Sequence, residues 1–383
     1  MTSTFLSAEA TQRLRQGGTT AAREEILSVE GEPRRGEPVR LVGAEGRVLG
    51  LADLDLEAPV AVRRIGLPDD IPEGLMARQL RRAMERRGRL VEDPRYCRWV
   101  NDDGDGLPGL VVDRFERHFS VQTTSRAMDA RLDEITRLLV EVAGASSVLL
   151  RNDSARRARW GLKPARSAHV LYGTPPRWSR LLELGARLSI DLHKGEGTGY
   201  SYALRELRRM VGRLSQGALV LDPSCLVGGT AVQAGLHGAR RIVAFATDLE
   251  DTDLAQENVE ANGLMSRAQV SCADSLEALR ANRDVFDLVV LHAPARDAHP
   301  EEWARKLEEL VLLSVRATRH GGLLVLGASG EALGAHPLEE RVLCACEGAN
   351  RTAYRLLRAG APADFPARAG SPDELSAVAL ELS

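Results

Sequence analysis

Apolar and polar positions fall into three regimes along this chain. From Leu181 onward, short apolar runs alternate with helical patterns. Ala218–Leu221, Ile242–Phe245, Gln269–Cys272, Leu288–Leu291 and Leu323–Leu326 read as strands. Thr230–Gly238, Asp253–Asn262 and Glu301–Thr318 carry the spacing of helices. Such alternation predicts right-handed βαβ units and a doubly wound sheet, with ligand outside the strand C-termini.

The first 70 residues are patterned differently. Val39–Val42, Val48–Leu51 and Val60–Ile65 are β-type runs around the turn Gly43–Gly46 and between Gly36, Pro38 and Pro59. PDDIP, residues 68–72, reads as a linker. Residues 73–180 mix both patterns: a helix over Gly74–Leu90, a turn and two strands in DDGDGLPGLVVDRF and FSVQTT, a helix over Asp129–Val142 and a strand at Ser147–Leu150. Tyr172–Trp178, rich in Gly and Pro, reads as a second boundary. The expected fold class is α/β: a β-rich module over 1–70, a small α/β middle domain over 73–180 and a Rossmann-like domain over 181–383. No internal repeat or low-complexity tract interrupts it.

Length and composition fit that division. At 383 residues, 44% hydrophobic and 27% charged, the chain has the make-up of a soluble globular protein. No apolar run is long enough for a bilayer, and the N-terminus lacks a signal-peptide layout, so a cytoplasmic location without a membrane partner is expected. The five cysteines have no CxxC spacing and no neighbouring His, which predicts reduced thiols and no metal site.

Charge changes the picture locally. The net charge is −3, yet the basic residues are nearly all Arg, with Lys163, Lys194 and Lys306 the only lysines. One cluster is Arg78, Arg81, Arg82, Arg86, Arg87 and Arg89. A second is Arg151, Arg156, Arg157, Arg159, Lys163 and Arg166, opposed only by Asp153. A third is Arg205, Arg208, Arg209 and Arg213. Guanidinium groups pair with phosphates in forked geometry, so each run fits a polyanion surface or a solvated helix face.

The strongest candidate site is LVLDPSCLVGG, residues 219–229. An apolar strand ends in Asp222, turns through small residues and opens a helix at Gly228 and Gly229. Glycines let backbone approach a nucleotide-like ligand, and a helix N-terminus offers unpaired N–H groups. The same glycines also suit a tight strand–helix turn with no ligand.

Taken together, the motifs resemble the bacterial class I methyltransferases that use S-adenosylmethionine to methylate C5 of a cytosine in large-subunit ribosomal RNA. GDGLPGLVVDRF (104–115), LLRNDSARRARWGL (149–162), LDPSCLVGGTAVQA (221–234) and QENVEANGL (256–264) carry the resemblance colinearly. RLRQG (13–17) and EGEPRRGEPVRLV (30–42) are similar to the family's PUA-type RNA-binding module. The resemblance implies S-adenosylmethionine as cofactor, held by Asp222, Gly228, Gly229, Arg205, Thr198, Gly199 and Asp274, the last near the adenine. Asp274 also suits a cap for the helix at Ser275–Arg280, and Gly197–Tyr200 suits either a loop over the methionine end or a plain turn. It further implies ribosomal RNA as partner, contacted by Arg151, Arg156, Arg157, Arg159 and Lys163. A homodimer is compatible with it.

Around the pocket the chain departs from the family. The acidic residue expected at the end of the second core strand is Ala246, with Asp248 two residues on. The expected Asp-Pro-Pro is His292-Ala293-Pro294, and Asp-Gln-Arg is Ala203-Leu204-Arg205. The family's His-Pro-Trp-Val-Phe run is GTTAA (18–22). Ser329 occupies the position of the catalytic cysteine. C5 of cytosine is a poor nucleophile until a thiolate adds to C6, and a serine hydroxyl is barely ionised at neutral pH. The expectation is a divergent member that has lost cytosine C5 methylation and retains RNA binding. Two alternatives stay open: a methyltransferase directed at nitrogen with His292 as base, and a protein-interaction scaffold.

Overall fold

The computed structural model describes residues 1–153, 155–195, 197–293, 300–329, 335–367 and 375–383. The chain forms two compact units. The first is Met1–Arg177 with two later excursions, Leu192–Tyr200 and Ala363–Ser371. The second is Trp178–Asp191, Ser201–Pro362 and Pro372–Ser383. The N-terminal β-rich module and the middle α/β region thus belong to one unit.

The N-terminal module holds β1 (Ser3–Leu6), α1 (Ala8–Arg15), β2 (Thr20–Ala22), β3 (Ile26–Glu30), β4 (Val39–Val42), β5 (Val48–Leu54) and β6 (Val60–Gly66). Its sheet runs β2-β6-β5-β4-β1-β3. Ser7 caps α1 by accepting from the Ala10 amide, and Leu6, Ala10, Leu14, Leu41 and Val62 close the core. The short β1–β3 edge carries too little apolar sequence to stand out in the chain's pattern.

The middle region adds α2 (Leu75–Leu90), β7 (Tyr96–Asn101), β8 (Leu110–Phe115), β9 (His118–Thr123), α3 (Arg126–Ala130), α4 (Leu132–Ala143), β10 (Ser147–Leu150) and β11 (His169–Gly173). The sheet order is β11-β10-β9-β8-β7. Leu80, Trp99, Phe119, Ile135 and Leu139 are fully buried between helices and sheet, each contributing about 2 kcal/mol. The helix expected over Asp129–Val142 is instead two. It breaks at Arg131, whose guanidinium turns away to Asp53 at 2.6 Å and to the Gly36 carbonyl at 2.6 Å.

The GDG motif explains itself in this unit. A Cβ on Gly104 would lie 1.7 Å from the Pro366 carbonyl oxygen, so only glycine admits the excursion there. Asp105 beside it accepts two hydrogen bonds from Arg87, at 2.6 and 2.7 Å, and another from Arg86. Arg87 also donates to the Asp364 carbonyl at 2.8 Å, and the Arg98 amide donates to the Asp364 carboxylate at 2.8 Å.

The second unit opens with the hairpin β12 (Trp178–Glu183) and β13 (Ala186–Asp191). Its sheet contains β14 (Leu219–Asp222), β15 (Arg241–Ala246), β16 (Ala268–Cys272), β17 (Phe286–Ala293), β18 (Thr318–Ser329), β19 (Ala353–Ala359) and β20 (Leu375–Leu382). The order is β16-β15-β14-β17-β18-β20-β19, with only β20 antiparallel to its neighbours. The helices are α5 (Arg205–Leu214), α6 (Gly229–Leu236), α7 (Leu249–Ala261), α8 (Ser275–Arg280), α9 (Pro300–Ala317) and α10 (Ala335–Gly348). Leu221, Val289, Leu324 and Leu326 of the sheet pack on Leu307 and Val311 of α9. Strand order reverses at β14, which puts the switch point of this doubly wound fold at the end of β14.

Candidate cofactor site and basic surfaces

The turn after β14 sits at that switch point. Asp222, the last residue of β14, is buried, and one carboxylate oxygen accepts from the Ser224 amide at 3.3 Å. The other, Oδ2, is buried without a hydrogen-bond partner among the described residues. Burial pushes this carboxyl up to about 7, against the weaker opposing effect of the Ser224 amide. An orphaned buried acid facing a strand–helix turn has the donor-seeking character of a binding residue.

The turn is built for close approach. Leu226 and Gly228 are left-handed, with φ of 50° and 81°. A Cβ on Gly228 would stand 3.2 Å from Ala255 of α7. The Cys225 amide donates to the Phe245 carbonyl at 2.8 Å, tying the turn to β15. Gly229 is the first residue of α6, whose opening amides follow directly. Cys225 itself is buried, and burial holds its thiol well above the ordinary range, so it stays protonated. These residues fit a small ligand with a polar or cationic group against Asp222.

At the neighbouring strand ends the fit is thinner. Ala246 closes β15, buried and without a carboxylate, in register with Cys272. Asp248 is committed to capping α7, accepting from the Asp251 amide at 2.8 Å. Asp274 caps α8 by accepting from the Leu276 amide at 2.8 Å and is exposed. His292 is half-buried near the end of β17, opposite Gly327 of β18. Ser329 is the last residue of β18; its side chain, like Pro294, lies outside the described residues.

Other expected site residues have different company. Arg205 is buried and donates to Glu183 at 3.1 Å, beside Arg208, which donates to the same carboxylate at 2.5 Å. Thr198 is buried in the first unit, where its hydroxyl donates to Asp113; Gly199 belongs to the same excursion. Neither therefore belongs to the unit that carries the turn.

The second basic cluster is mostly internal. Arg151 is buried and donates to the Leu192 and Gly195 carbonyls, both at 2.8 Å, and to Asp153. Arg157 is buried against Asp129 at 2.8 Å and against the Thr123 carbonyl. These two hold the segment's shape rather than present charge, because carbonyls and carboxylates of the same unit satisfy them. The side chains of Arg156 and Arg159 lie outside the described residues, while Lys163 and Arg166 are exposed.

On α2 the arginines divide. Arg87 is fully buried, Arg86 pairs with Asp105, and Arg78 donates to the Ile71 and Glu73 carbonyls. Arg81, Arg82 and Arg89 are exposed and have no hydrogen-bond or ion-pair partner among the described residues. The sequence could not separate these groups, since the acceptors lie elsewhere in the chain.

Fold and turn together define a class: an N-terminal PUA-like domain ahead of a Rossmann-like methyltransferase fold. A PUA-like domain model matches residues 5–65. Over 360 residues the chain is 27% identical to ribosomal RNA large subunit methyltransferase I of Shewanella amazonensis, covering 91% of this chain and 90% of that protein. It is 26% identical over 361 residues to the protein of the same name from Klebsiella pneumoniae, with the same coverage. A solved structure from Streptococcus mutans, assigned as a SAM-dependent methyltransferase, covers the whole chain at TM-score 0.81 and 16% identity. Another, assigned as a methyltransferase and complexed with SAH, covers it at TM-score 0.82 and 17% identity.

Proposed function

We propose that this chain is an RNA-binding protein on a SAM-dependent methyltransferase scaffold, with the cofactor turn kept and cytosine C5 methylation lost. The observation that carries the reading is Ser329 at the end of β18, where the chemistry needs a thiolate. Among the five cysteines, Cys97, Cys225 and Cys346 are buried, while Cys272 ends β16 and Cys344 lies on α10. None belongs to β18.

S-adenosylmethionine, when bound, supplies an electrophilic methyl group. Asp222, Gly228 and the first amides of α6 are the residues that would hold it, with Asp274 at the adenine end. Ala246 gives the ribose hydroxyls no acceptor, so the affinity is weaker than a carboxylate there would allow. His292 favours one second reading, in which a ring or exocyclic nitrogen is the methyl acceptor and this imidazole takes its proton.

RNA as partner is supported by the ribosomal RNA methyltransferases among the relatives, by the PUA-like domain and by unneutralised cations. The contact surface assigned here is Arg81, Arg82 and Arg89 of α2, together with Lys163 and Arg166. Replacing Arg81, Arg82 and Arg89 with Gln is expected to weaken binding to large-subunit RNA fragments. It should also flatten the log–log salt slope by about two to three. Filter binding across a salt series measures both. A slope unchanged from the wild type would remove these arginines from the contact surface, and no RNA retention by the wild type would leave protein interaction as the function to pursue.

A further inference from the structure

QENVEAN carries two asparagines one helical turn apart, and neither has a role in the site described above. In α7, Asn258 accepts from the Ser189 amide at 2.6 Å and donates to the Ser189 carbonyl at 3.0 Å. Asn262, just past the helix, accepts from the Arg187 amide at 3.0 Å and donates to the Arg187 carbonyl at 2.7 Å. Four helical residues rise about 6 Å and two strand residues about 6.7 Å, so the amides match alternate residues of β13. Side chains thus pair the open edge of the hairpin as a neighbouring strand would.

One of the two amides reaches further. Asn258 is fully buried, and its second N–H donates to the Val227 carbonyl at 2.8 Å. Val227 lies between Leu226 and Gly228, the two left-handed residues of the glycine turn. A left-handed Leu costs about 1 kcal/mol and persists only when its surroundings fix it. Asn262 makes no bond to that turn; its remaining N–H goes to the Asn258 carbonyl at 2.7 Å.

We infer that Asn258 is a positioning residue for cofactor binding: through the Val227 carbonyl it holds the glycine turn in the conformation that receives the ligand. Asn262 supplies the matched control, since it shares the hairpin ladder and lacks the turn contact. The inference rests on the cofactor reading proposed above, and the order of measurement separates the two. Calorimetric titration of the whole wild-type protein with S-adenosylhomocysteine comes first; absence of binding there would overturn both the cofactor reading and this inference.

With binding established, Asn258→Ala is expected to weaken it by at least about tenfold, and Asn262→Ala by no more than about twofold. Melting temperatures are recorded beside the affinities, because a merely structural role would lower affinity in step with stability for both variants. If Asn258→Ala does not fold, Asn258→Ser, whose hydroxyl is too short to reach Val227, takes its place. Equal affinity in the Asn258 and Asn262 variants would overturn the assignment.

Discussion

Asp105→Ala is expected to lower the stability of the first unit by about 3–5 kcal/mol, the cost of leaving a buried charge unpaired. Both the Arg87 side chain and the Asp105 carboxylate are fully buried. Asp105 also accepts from the Asn101 amide at 2.7 Å and from Arg86, so its loss orphans donors on α2 and β7 together. Among the described residues Arg87 then has only the Arg98 and Asp364 carbonyls as acceptors. Neither can neutralise a guanidinium. Combining Asp105→Leu with Arg87→Met should recover part of the loss, because an apolar pair removes the desolvation cost. Denaturant unfolding followed by a probe in the first unit reads the effect; a loss below about 1 kcal/mol would contradict it.

Asp222→Asn is expected to stabilise the second unit at pH 8 and to weaken cofactor binding. The wild-type carboxyl is raised from 3.8 to about 7 by burial. A raised acid pKa means that the folded chain holds its proton where the unfolded chain has released it. Stability from this group is therefore greatest below the unfolded value. It falls by about 1.4 kcal/mol per pH unit between roughly pH 4 and pH 7, then levels off. The accumulated penalty is about 4 kcal/mol, and the neutral amide does not incur it. The gain in melting temperature should accordingly be large at pH 8 and absent near pH 4. A cationic ligand group beside the carboxylate offsets the same penalty, so wild-type affinity for S-adenosylmethionine should rise between pH 6 and pH 8. Equal melting shifts at both ends of the range would contradict this account of Asp222.

The Asp105 effect concerns partners distant in sequence, Arg86 and Arg87 of α2, and that marks the limit of what the chain reveals on reading. The parallel core was legible because Ala218–Leu221 and Leu288–Leu291, which fall largely in β14 and wholly in β17, are continuous apolar runs. Val39–Val42 and Ser147–Leu150 coincide with their expected spans. The β12–β13 hairpin was hidden behind the Pro-rich boundary at 172–178, and its edge is closed by side chains from α7 instead of a strand. Turn chemistry pointed to Asp222, Gly228 and Gly229, but burial of Arg151, Arg157 and Arg205 depends on Leu192, Asp129 and Glu183. An arginine looks the same in a sequence whether its partner is a phosphate or an internal carbonyl.

The central claim is that the scaffold binds RNA without methylating cytosine at C5. It is tested most directly by incubating the protein with radiolabelled S-adenosylmethionine and large-subunit ribosomal RNA lacking that methyl group. Chromatography of the digested RNA then locates the label. The account predicts retained RNA and no labelled 5-methylcytidine. Accumulation of labelled 5-methylcytidine over successive turnovers would contradict it, and would mean that a group other than Ser329 activates the ring.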